Sequence, residues 1–463
     1  MLVSAPFGGA FAYFSSYKYH GIIMDDLSDG TKKDYFPENL IKVSAAQLQI
    51  GMYVVELDRP WLETPFLTQG FDIRHRSQIA KIQRHCDYVY VLRPGATRKK
   101  EPTVASGIPP VQVNRTNKGT LITARQKHKP RVLLRSRPAY DTTNPIHEEH
   151  PIARAAHEKG KSSIKKLLNS AQMGQMIDTD MAQEVVRECV DSIVRNADAM
   201  VWMSKIKHEH EYTAEHCLNV CILAIAFGRH LNFDQGELKQ LGLCGLLHDV
   251  GKMKVPTEIL DKPGTLTEEE TRIMRTHSTE GHTILRESSG VSPLAIDVCL
   301  NHHERPDGGG YPRGLKADEI SEYAKIIAVV DAYDAMTSDR CYDRAKSPVE
   351  AQKILYDNRG KQFDEQCALQ FMQAIGPYPP GTWVELRNEM VGIVLAGRRK
   401  FRHLPSVILV LDAKKQRMEQ KVVDLHLTDS GQLDKSYLIK KALKDGTNGL
   451  HLEDFRLAVE APG

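Results

Sequence analysis

The sequence predicts a mainly α protein, in which a small α+β module precedes a large helical domain and a short β-rich segment follows it. Apolar residues recur three and four apart across residues 151–376, as in amphipathic helices. β-Branched and aromatic runs occur before this region, in residues 40–93, and after it, in residues 377–463. A chain of 463 residues is long enough for two or three domains with buried cores.

Composition and charge exclude several classes of protein. The formal net charge of +3 favours no partner by itself, and no run of 18 apolar residues predicts a transmembrane helix. The eight cysteines are scattered without a CxxC pair, which predicts reduced thiols and a cytoplasmic protein. Residues 1–39 form an unassigned N-terminal arm without clear periodicity, and they lack the basic start of a signal peptide.

Residues 40–93 predict the small α+β module. VSAAQLQIGMYVVEL and DYVYVLR are typical of strands, and RSQIAKIQRHC between them is typical of a short amphipathic helix. Residues 94–150 then predict a basic flexible linker, since residues 91–140 contain twelve Lys/Arg, one acid and several prolines. A nucleic-acid or membrane contact is the less favoured interpretation, because aromatic residues are not interleaved with the charges.

Residues 151–376 predict an all-helical domain, because each periodic stretch in it is bounded by Gly, Pro or a capping residue. The pattern changes after GPYPPG. TWVELRNEMVGIVLAG and PSVILVLDA are typical of strands, so residues 377–463 predict a β-rich C-terminal segment.

The helical domain has histidines and aspartates at places where helix propensity does not require them. His248 and Asp249 end the apolar run LCGLL, and Asp331 follows IIAVV, where a lone buried carboxylate would be costly. Singly, each residue has a structural explanation as a satisfied core histidine or a helix cap. Together, their nitrogen and oxygen atoms suit Fe, Mn, Zn or Ni, and their number suits two metals that share one carboxylate. The seven candidates are His216, His248, Asp249, His277, His302, His303 and Asp331.

The segment HHERPDGGGYP, with LLHDVGK upstream and DAYDAMTSDRCY downstream, resembles the HD-GYP subfamily of the HD metal-dependent phosphohydrolases. The resemblance covers residues 212–374 with the motifs in family order. Residues 40–93, with IGMYVVELDRPWLETPF, are similar to the N-terminal domain of unassigned function that precedes HD-GYP in many bacterial proteins. The resemblance implies a bacterial signalling enzyme that hydrolyses cyclic di-GMP to linear pGpG, GMP or both, by attack of a hydroxide held between two metals.

The resemblance also implies a ligand set. One metal would be bound by His216, His248, Asp249 and Asp331, and the other by Asp249, His277, His302 and His303, with Asp249 bridging. Some family members bind a third metal through a glutamate four residues before the first histidine. Tyr212 occupies that position here, so the expected cofactors are two divalent metal ions, Fe or Mn.

The resemblance implies a substrate site beside the metals. Lys252 would contact the phosphate or the leaving oxygen, and Arg340 a phosphate or guanine through its planar fork. The glycines of the GGGYP run allow a tight turn and a close approach of the backbone to a ligand, Pro312 fixes one φ angle, and Tyr311 could stack on guanine or contact a phosphate. Asp343 stands where the family usually has a basic residue. Asp249 and Lys252 are the expected catalytic residues, and the expected substrate-binding residues are Lys252, Gly310, Tyr311, Pro312 and Arg340.

Two other functions fit the same residues. The metal chemistry could act on another cyclic dinucleotide or a nucleotide, although the intact GYP segment argues against this. Alternatively, the domain could bind cyclic di-GMP, a diguanylate cyclase or another signalling protein without turnover. All seven ligand positions are present, which favours the enzyme. Nucleic acid is not an expected partner, and a homodimer is left open because no helix carries a sustained heptad pattern.

Overall fold

The structure is a computed structural model that describes residues 40–58, 71–92, 135–137, 139–206, 212–338, 345–398 and 401–457. The described residues belong to two separate units, residues 40–92 and residues 135–457. The predicted mainly α fold with a small N-terminal α+β module and a β-rich C-terminal segment is confirmed.

The N-terminal unit is a four-stranded antiparallel sheet with one helix. Its elements are β1 (Leu40–Ser44), β2 (Tyr53–Leu57), β3 (Phe71–Asp72), α1 (Arg76–His85) and β4 (Tyr88–Leu92). The strand order is β1-β4-β2-β3, so the last strand of this unit lies between its first two. The buried side chains of Val54, Ile82 and Val89 form its core together with Ile73. The strands alternate inward and outward side chains, which is why β-branched residues at every second position form this core.

The second unit begins with helices that surround a buried centre. They are α2 (Ile146–Gln172), α3 (Thr179–Arg195), α4 (Ala197–Met203), α5 (Tyr212–His230), α6 (Gln235–Leu247), α7 (Thr257–Leu260), α8 (Glu268–Arg275), α9 (His277–Glu287), α10 (Pro293–Asn301), α11 (Glu322–Thr337), α12 (Pro348–Asp357) and α13 (Glu365–Ile375). Helices α5, α6 and α11 are apolar on almost every side and nearly fully buried. A helix that is apolar all round belongs in a core, so polar residues on these three helices are placed deep inside the domain.

The C-terminal segment of this unit is a five-stranded antiparallel sheet of order β8-β7-β6-β5-β9. Its strands are β5 (Trp383–Leu386), β6 (Val391–Arg398), β7 (Phe401–Leu411), β8 (Arg417–Asp424) and β9 (Ile439–Leu443). Phe455 stacks on Trp202 of α4 at 5.8 Å and meets Trp383 of β5 edge-on at 5.7 Å. Asp198 of α4 also accepts a hydrogen bond of 3.0 Å from the backbone N–H of Gly397 in β6. The sheet is therefore fixed to the helices through α4.

Part of the predicted linker lies against the helices. Arg135 donates two hydrogen bonds to Glu322 at the start of α11, at 3.0 and 2.9 Å. Helix α2 then begins at Ile146, whereas most of residues 94–150 lies outside the described part of the chain. The domain boundaries drawn from composition stay predictions. No helix among the described residues is both long enough and apolar enough to cross a membrane.

Helix α2 buries a histidine whose charge state controls stability. His150 is 6% exposed, its ring meets Trp202 edge-on at 5.4 Å, and its Nε2 has no hydrogen-bond partner among the described residues. Burial, and then repulsion by Arg154, lowers the pKa of His150 to about 4. The unfolded chain takes up a proton at this histidine near its ordinary pKa of about 6.5, so acid favours unfolding between these two values.

We expect His150→Leu to remove this acid sensitivity. At pH 5, protonation of His150 in the unfolded wild type lowers the free energy of unfolding by about 2 kcal/mol. Leucine has no titrating group, so the variant does not undergo this loss. The free energy of urea-induced unfolding of the metal-free proteins should be compared at pH 8 and pH 5. At pH 8 the histidine is neutral, so the difference in free energy of unfolding between variant and wild type reports packing alone. At pH 5 this difference should shift in favour of the variant. An equal difference at both pH values would contradict the expectation.

Candidate metal centre

The seven predicted ligand residues meet in one buried cluster. His216 lies within α5 and Asp331 within α11, whereas the other five lie at helix ends. Their potential ligand atoms form two groups, and within each group the atoms lie within 4.8 Å of one another. The two groups are His216, His248 and Asp331, and Asp249, His277, His302 and His303.

Asp249, a member of the second group, also borders the first, and its two oxygens face different sets of histidines. Oδ2 is 3.5 Å from His216 Nε2 and 3.2 Å from His248 Nε2. Oδ1 is 3.4 Å from His277 Nε2 and 3.7 Å from His302 Nε2. A carboxylate in this position can offer one oxygen to each of two cations, which is the geometry of a bridging ligand.

A second carboxylate completes the group that contains His216. Asp331 Oδ1 lies 3.1 Å from His216 Nε2 and 3.9 Å from His248 Nε2. Because α11 is buried along almost its full length, this carboxylate is 4% exposed. An ionised carboxylate at this depth requires cations or protonated groups around it.

Three of the histidines are held in the orientation that a metal ligand needs. His248, His277 and His302 each donate Nδ1–H to the backbone carbonyl three residues earlier, at 2.8, 2.7 and 3.0 Å. A carbonyl can only accept, so Nδ1 carries a proton, and in the neutral ring Nε2 keeps its lone pair. All three Nε2 atoms face Asp249. The helix ends therefore fix both the tautomer and the direction of these side chains.

The cluster has the electrostatics of a cation site. His248 Nε2 and Asp249 Oδ1 are buried without a hydrogen bond to any described residue, although both point into the cluster. Burial, and then repulsion by His248, lowers the pKa of His302 to about 3, and burial also lowers the pKa values of His277 and His303. Neutral imidazoles at pH 7 can donate lone pairs, and nitrogen with carboxylate oxygen suits divalent transition metals. The residues present therefore fit divalent metal ions.

Lys252 places a cation in contact with the central carboxylate of the cluster. It lies on the 3-10 helix Val250–Lys254, and its Nζ contacts Asp249 Oδ2. Burial alone would raise the pKa of Asp249, but the attraction of Lys252 and His248 holds it well below the ordinary value. The Lys252 side chain is 18% exposed, so its ammonium lies between the buried carboxylate and solvent.

The GYP segment is fastened to the histidine doublet. Glu304 is 2% exposed and accepts hydrogen bonds from the backbone N–H groups of Arg313 and Leu315, at 2.6 and 2.8 Å. A Cβ on Gly310 would lie 2.6 Å from the carbonyl oxygen of His303 and closer still to the next two residues. Sequence reasoning expected this close approach toward a ligand, but here the glycine approaches the protein's own backbone.

Tyr311 packs beside a predicted metal ligand. Its ring lies nearly parallel to that of His303, with centroids 4.7 Å apart and an angle of 29° between the planes. It also meets His277 edge-on at 6.3 Å. Burial raises the pKa of Tyr311 well above its ordinary value, so the phenol stays protonated. The tyrosine thereby connects the GYP segment to both histidines.

Two residues of the centre were missed from the sequence. Asp334 Oδ2 lies 2.8 Å from His216 Nδ1, and Glu304 anchors the GYP segment. A signal for Asp334 was present, because it follows Asp331 by three residues on an apolar helix and must share its face. A signal for Glu304 was weaker, since a glutamate after a histidine doublet gives no hint of its backbone partners.

Some predicted positions lie outside the described residues. Arg340 and Asp343 belong to this group, as does the side chain of Tyr212. The contact expected of Arg340, the effect of Asp343 and the absence of a third metal therefore stay predictions.

Proteins in which a helical domain encloses a buried His-Asp cluster for divalent metals form the class called HD. Residues 198–367 match the family model described as HD domain. Residues 40–182 match a model described as a domain of unknown function (DUF3391), which extends beyond the predicted module into the helical unit. The matched HD region contains all seven cluster residues.

The chain belongs to the HD-GYP subfamily of the HD proteins, as its motifs predicted. It is 35% identical over 399 residues to the cyclic di-GMP phosphodiesterase PA4108 of Pseudomonas aeruginosa, covering 86% of this chain and 91% of the relative. It is 37% identical over 169 residues to the 3'3'-cGAMP-specific phosphodiesterase 3 of Vibrio cholerae, covering 36% of each chain. Among solved structures, Bd1817, an HD-GYP-type protein from Bdellovibrio bacteriovorus, aligns at 16% identity with a TM-score of 0.41, covering 72% of this chain and 98% of that one.

We expect Asp334→Ala to weaken metal binding in the group that contains His216. Asp334 orients the His216 ring, and loss of such a partner typically reduces metal affinity about 10- to 100-fold. Metal per chain should be counted after dialysis against graded chelator, with Asp334→Asn expected to be intermediate because it keeps an acceptor.

Thr337→Ala is the matched control for this prediction. Thr337 lies on the same turn of α11 and donates to the carbonyl of Tyr333 at 3.0 Å. It should leave metal binding unchanged. Wild-type metal retention by a folded Asp334→Ala protein would show that His216 needs no orienting carboxylate.

Proposed function

We propose that the protein is a metal-dependent phosphodiesterase that hydrolyses cyclic di-GMP to linear pGpG, GMP or both. The observation that carries the proposal is the position of Asp249, with one carboxylate oxygen toward each of two buried ligand groups. The name of the Pseudomonas aeruginosa relative, a cyclic di-GMP phosphodiesterase similar over 86% of this chain, supports the substrate.

Two divalent ions, Fe or Mn, are the proposed cofactors. His216, His248, Asp249 and Asp331 would hold one ion, and Asp249, His277, His302 and His303 the other. Bound there, the ions would lower the pKa of water and neutralise the charge of a phosphodiester. The mixed nitrogen and oxygen donors support Fe or Mn over Ca or Mg, which prefer oxygen alone.

The chain's own residues would position the substrate. The ammonium of Lys252, which contacts Asp249 at the edge of the cluster, would bind the phosphate or the leaving oxygen. Gly310, Tyr311 and Pro312 would form one wall of the site, because Tyr311 packs directly on His303. Arg340 would contribute a forked contact to phosphate or guanine. A water-poor site of this kind strengthens each electrostatic contact.

A second substrate has a specific observation in its favour. The Vibrio cholerae relative is named as specific for 3'3'-cGAMP, which shares the two diester phosphates of cyclic di-GMP. That similarity covers 36% of the chain, against 86% for the cyclic di-GMP relative. Cyclic di-GMP is therefore the preferred substrate, and 3'3'-cGAMP belongs in the same assay.

The cytoplasm is the proposed location of the protein. The described cysteines are all free thiols, which supports a reducing compartment such as the cytoplasm. A diguanylate cyclase or another signalling protein is a further proposed partner of the chain. The N-terminal unit has a core of its own, as expected of a regulatory or interaction module. A homodimer is also proposed, and its test is the molar mass of the purified full chain by light scattering.

We expect the full-length protein, purified anaerobically and loaded with Fe(II) or Mn(II), to hydrolyse cyclic di-GMP. Product formation and metal content should be measured on the same sample, and about two metals per chain should accompany turnover. Faster cleavage of 3'3'-cGAMP would reassign the substrate. Tight binding of cyclic di-GMP by the metal-loaded protein without any cleavage would point to a sensor instead.

We expect Asp249→Ala and Lys252→Met to fail in different ways. Removing Asp249 takes a ligand atom from both groups, so metal content and hydrolysis should both be lost. Lys252→Met keeps the ligands and most of the side-chain volume, so the metals should remain while kcat/KM falls about 100-fold or more. Full activity in Asp249→Ala would overturn the shared-carboxylate site. Metal loss in Lys252→Met would assign that lysine a structural role.

A further inference from the structure

Arg275 places a cation beside the metal centre. This residue belongs neither to the ligand groups nor to the predicted substrate contacts. It is the last residue of α8, two residues before His277. Its guanidinium carbon lies over the ring of Tyr311, 5.1 Å from the centroid. Tyr311 in turn stacks on His303 at 4.7 Å. The tyrosine ring therefore contacts both the guanidinium and a proposed metal ligand.

Arg275 forms no ion pair with any acid in the described parts of the chain, and its buried Nε has no hydrogen bond there. Its neighbours differ in this respect. Arg272, one turn earlier on α8, pairs with Glu269 at 2.6 Å, and Arg305 beside the histidine doublet pairs with Asp307 at 2.5 Å.

A half-buried cation without an acid is costly to keep unless it meets an anion during function. Packing on Tyr311 holds the side chain in place, because guanidinium groups stack on aromatic rings. This contact holds the guanidinium beside the GYP segment, where no described acid balances its charge. An arginine in this environment can bind two oxygens of a phosphate or carboxylate through paired hydrogen bonds.

We propose that Arg275 binds the second phosphate of the substrate, the one that is not cleaved. The inference rests on the proposed function, in which the metals take one of the two diester phosphates of a cyclic dinucleotide. The other phosphate carries a full negative charge, whereas guanine is neutral, so a phosphate is the better partner for an uncompensated cation. Arg275 is thus a binding residue that distinguishes cyclic dinucleotides from simple phosphodiesters.

The test compares substrates with one and two phosphates. Arg275→Met keeps the apolar stem over Tyr311 and removes the charge, and Arg275→Lys keeps the charge without the fork. Each variant of the metal-loaded full chain should be assayed with cyclic di-GMP and with bis(p-nitrophenyl) phosphate, a diester with a single phosphate. Arg272→Met is the matched control, since it removes an arginine from the same helix that already pairs with Glu269.

For Arg275→Met we expect kcat/KM for cyclic di-GMP to fall about 10- to 100-fold, as for loss of charged hydrogen bonds, mainly through KM. Hydrolysis of bis(p-nitrophenyl) phosphate and metal content should stay within about twofold of the wild type. Arg275→Lys should recover part of the loss, and Arg272→Met should behave like the wild type.

Three results would overturn the inference while leaving the proposed function in place. Unchanged kinetics of Arg275→Met toward cyclic di-GMP would exclude a contact. Equal losses on both substrates would mean that the arginine only positions Tyr311 and His303. A smaller loss on a 7-deazaguanine analogue, which lacks the N7 acceptor of guanine, would mean that it reads the base. A wild type that cleaves bis(p-nitrophenyl) phosphate but no cyclic dinucleotide would instead reject the proposed function, and the inference with it.

Discussion

The burial of one carboxylate between two groups of histidines is the constraint on which the helical domain depends. Asp249 is 1% exposed, and its two oxygens face different groups. A charge at this depth is stable only with positive partners around it. Lys252 provides one, and the surrounding imidazoles leave room for metal cations. The helices that enclose Asp249 must therefore each bring a polar residue to the same point while remaining apolar elsewhere.

Helix ends meet this requirement at little structural cost. The last carbonyls of a helix have no partner within it, so a histidine just beyond the end can donate Nδ1–H to one of them. His248 and His302 follow α6 and α10 in this way, and His277 uses the carbonyl of Met274 at the end of α8. The same hydrogen bond satisfies the helix and directs Nε2 toward the cluster. His216, within a helix, lacks such a carbonyl and uses the Asp334 carboxylate instead.

The GYP segment connects the metal cluster with the surface where a substrate would bind. Glu304 holds the segment by two backbone N–H groups, and Gly310 lets it lie against the backbone of the histidine doublet. Tyr311 then packs on His303, with Arg275 over its ring. Because ligand, aromatic ring and cation are in direct contact, a substrate bound at the surface would be positioned relative to the ligands by rigid packing.

The kinds of elements and the identity of the cluster residues could be predicted from the sequence. Periodicity is local, so β2 and β4 of the N-terminal unit, α5, α11 and the strands around Trp383 were predictable. The start of the first predicted strand instead contains a 3-10 helix at Ala45–Gln47, and the two-residue strand β3 carries no pattern. His216 and Asp331 were recognisable because a polar residue in an apolar helix is costly without a function. The weakly patterned edge strands β8 and β9 were not singled out, because half-exposed strands carry a less distinct pattern.

Tertiary structure alone decided how these residues meet. The contact of His216 with Asp334 joins residues 118 apart in the chain, and no local pattern specifies which carboxylate reaches which nitrogen. The same holds for the opposite orientations of the two Asp249 oxygens, the anchoring of the GYP segment by Glu304 and the position of Arg275 over Tyr311. Each depends on how helices distant in sequence pack together, and packing geometry is a property of the whole core rather than of any segment.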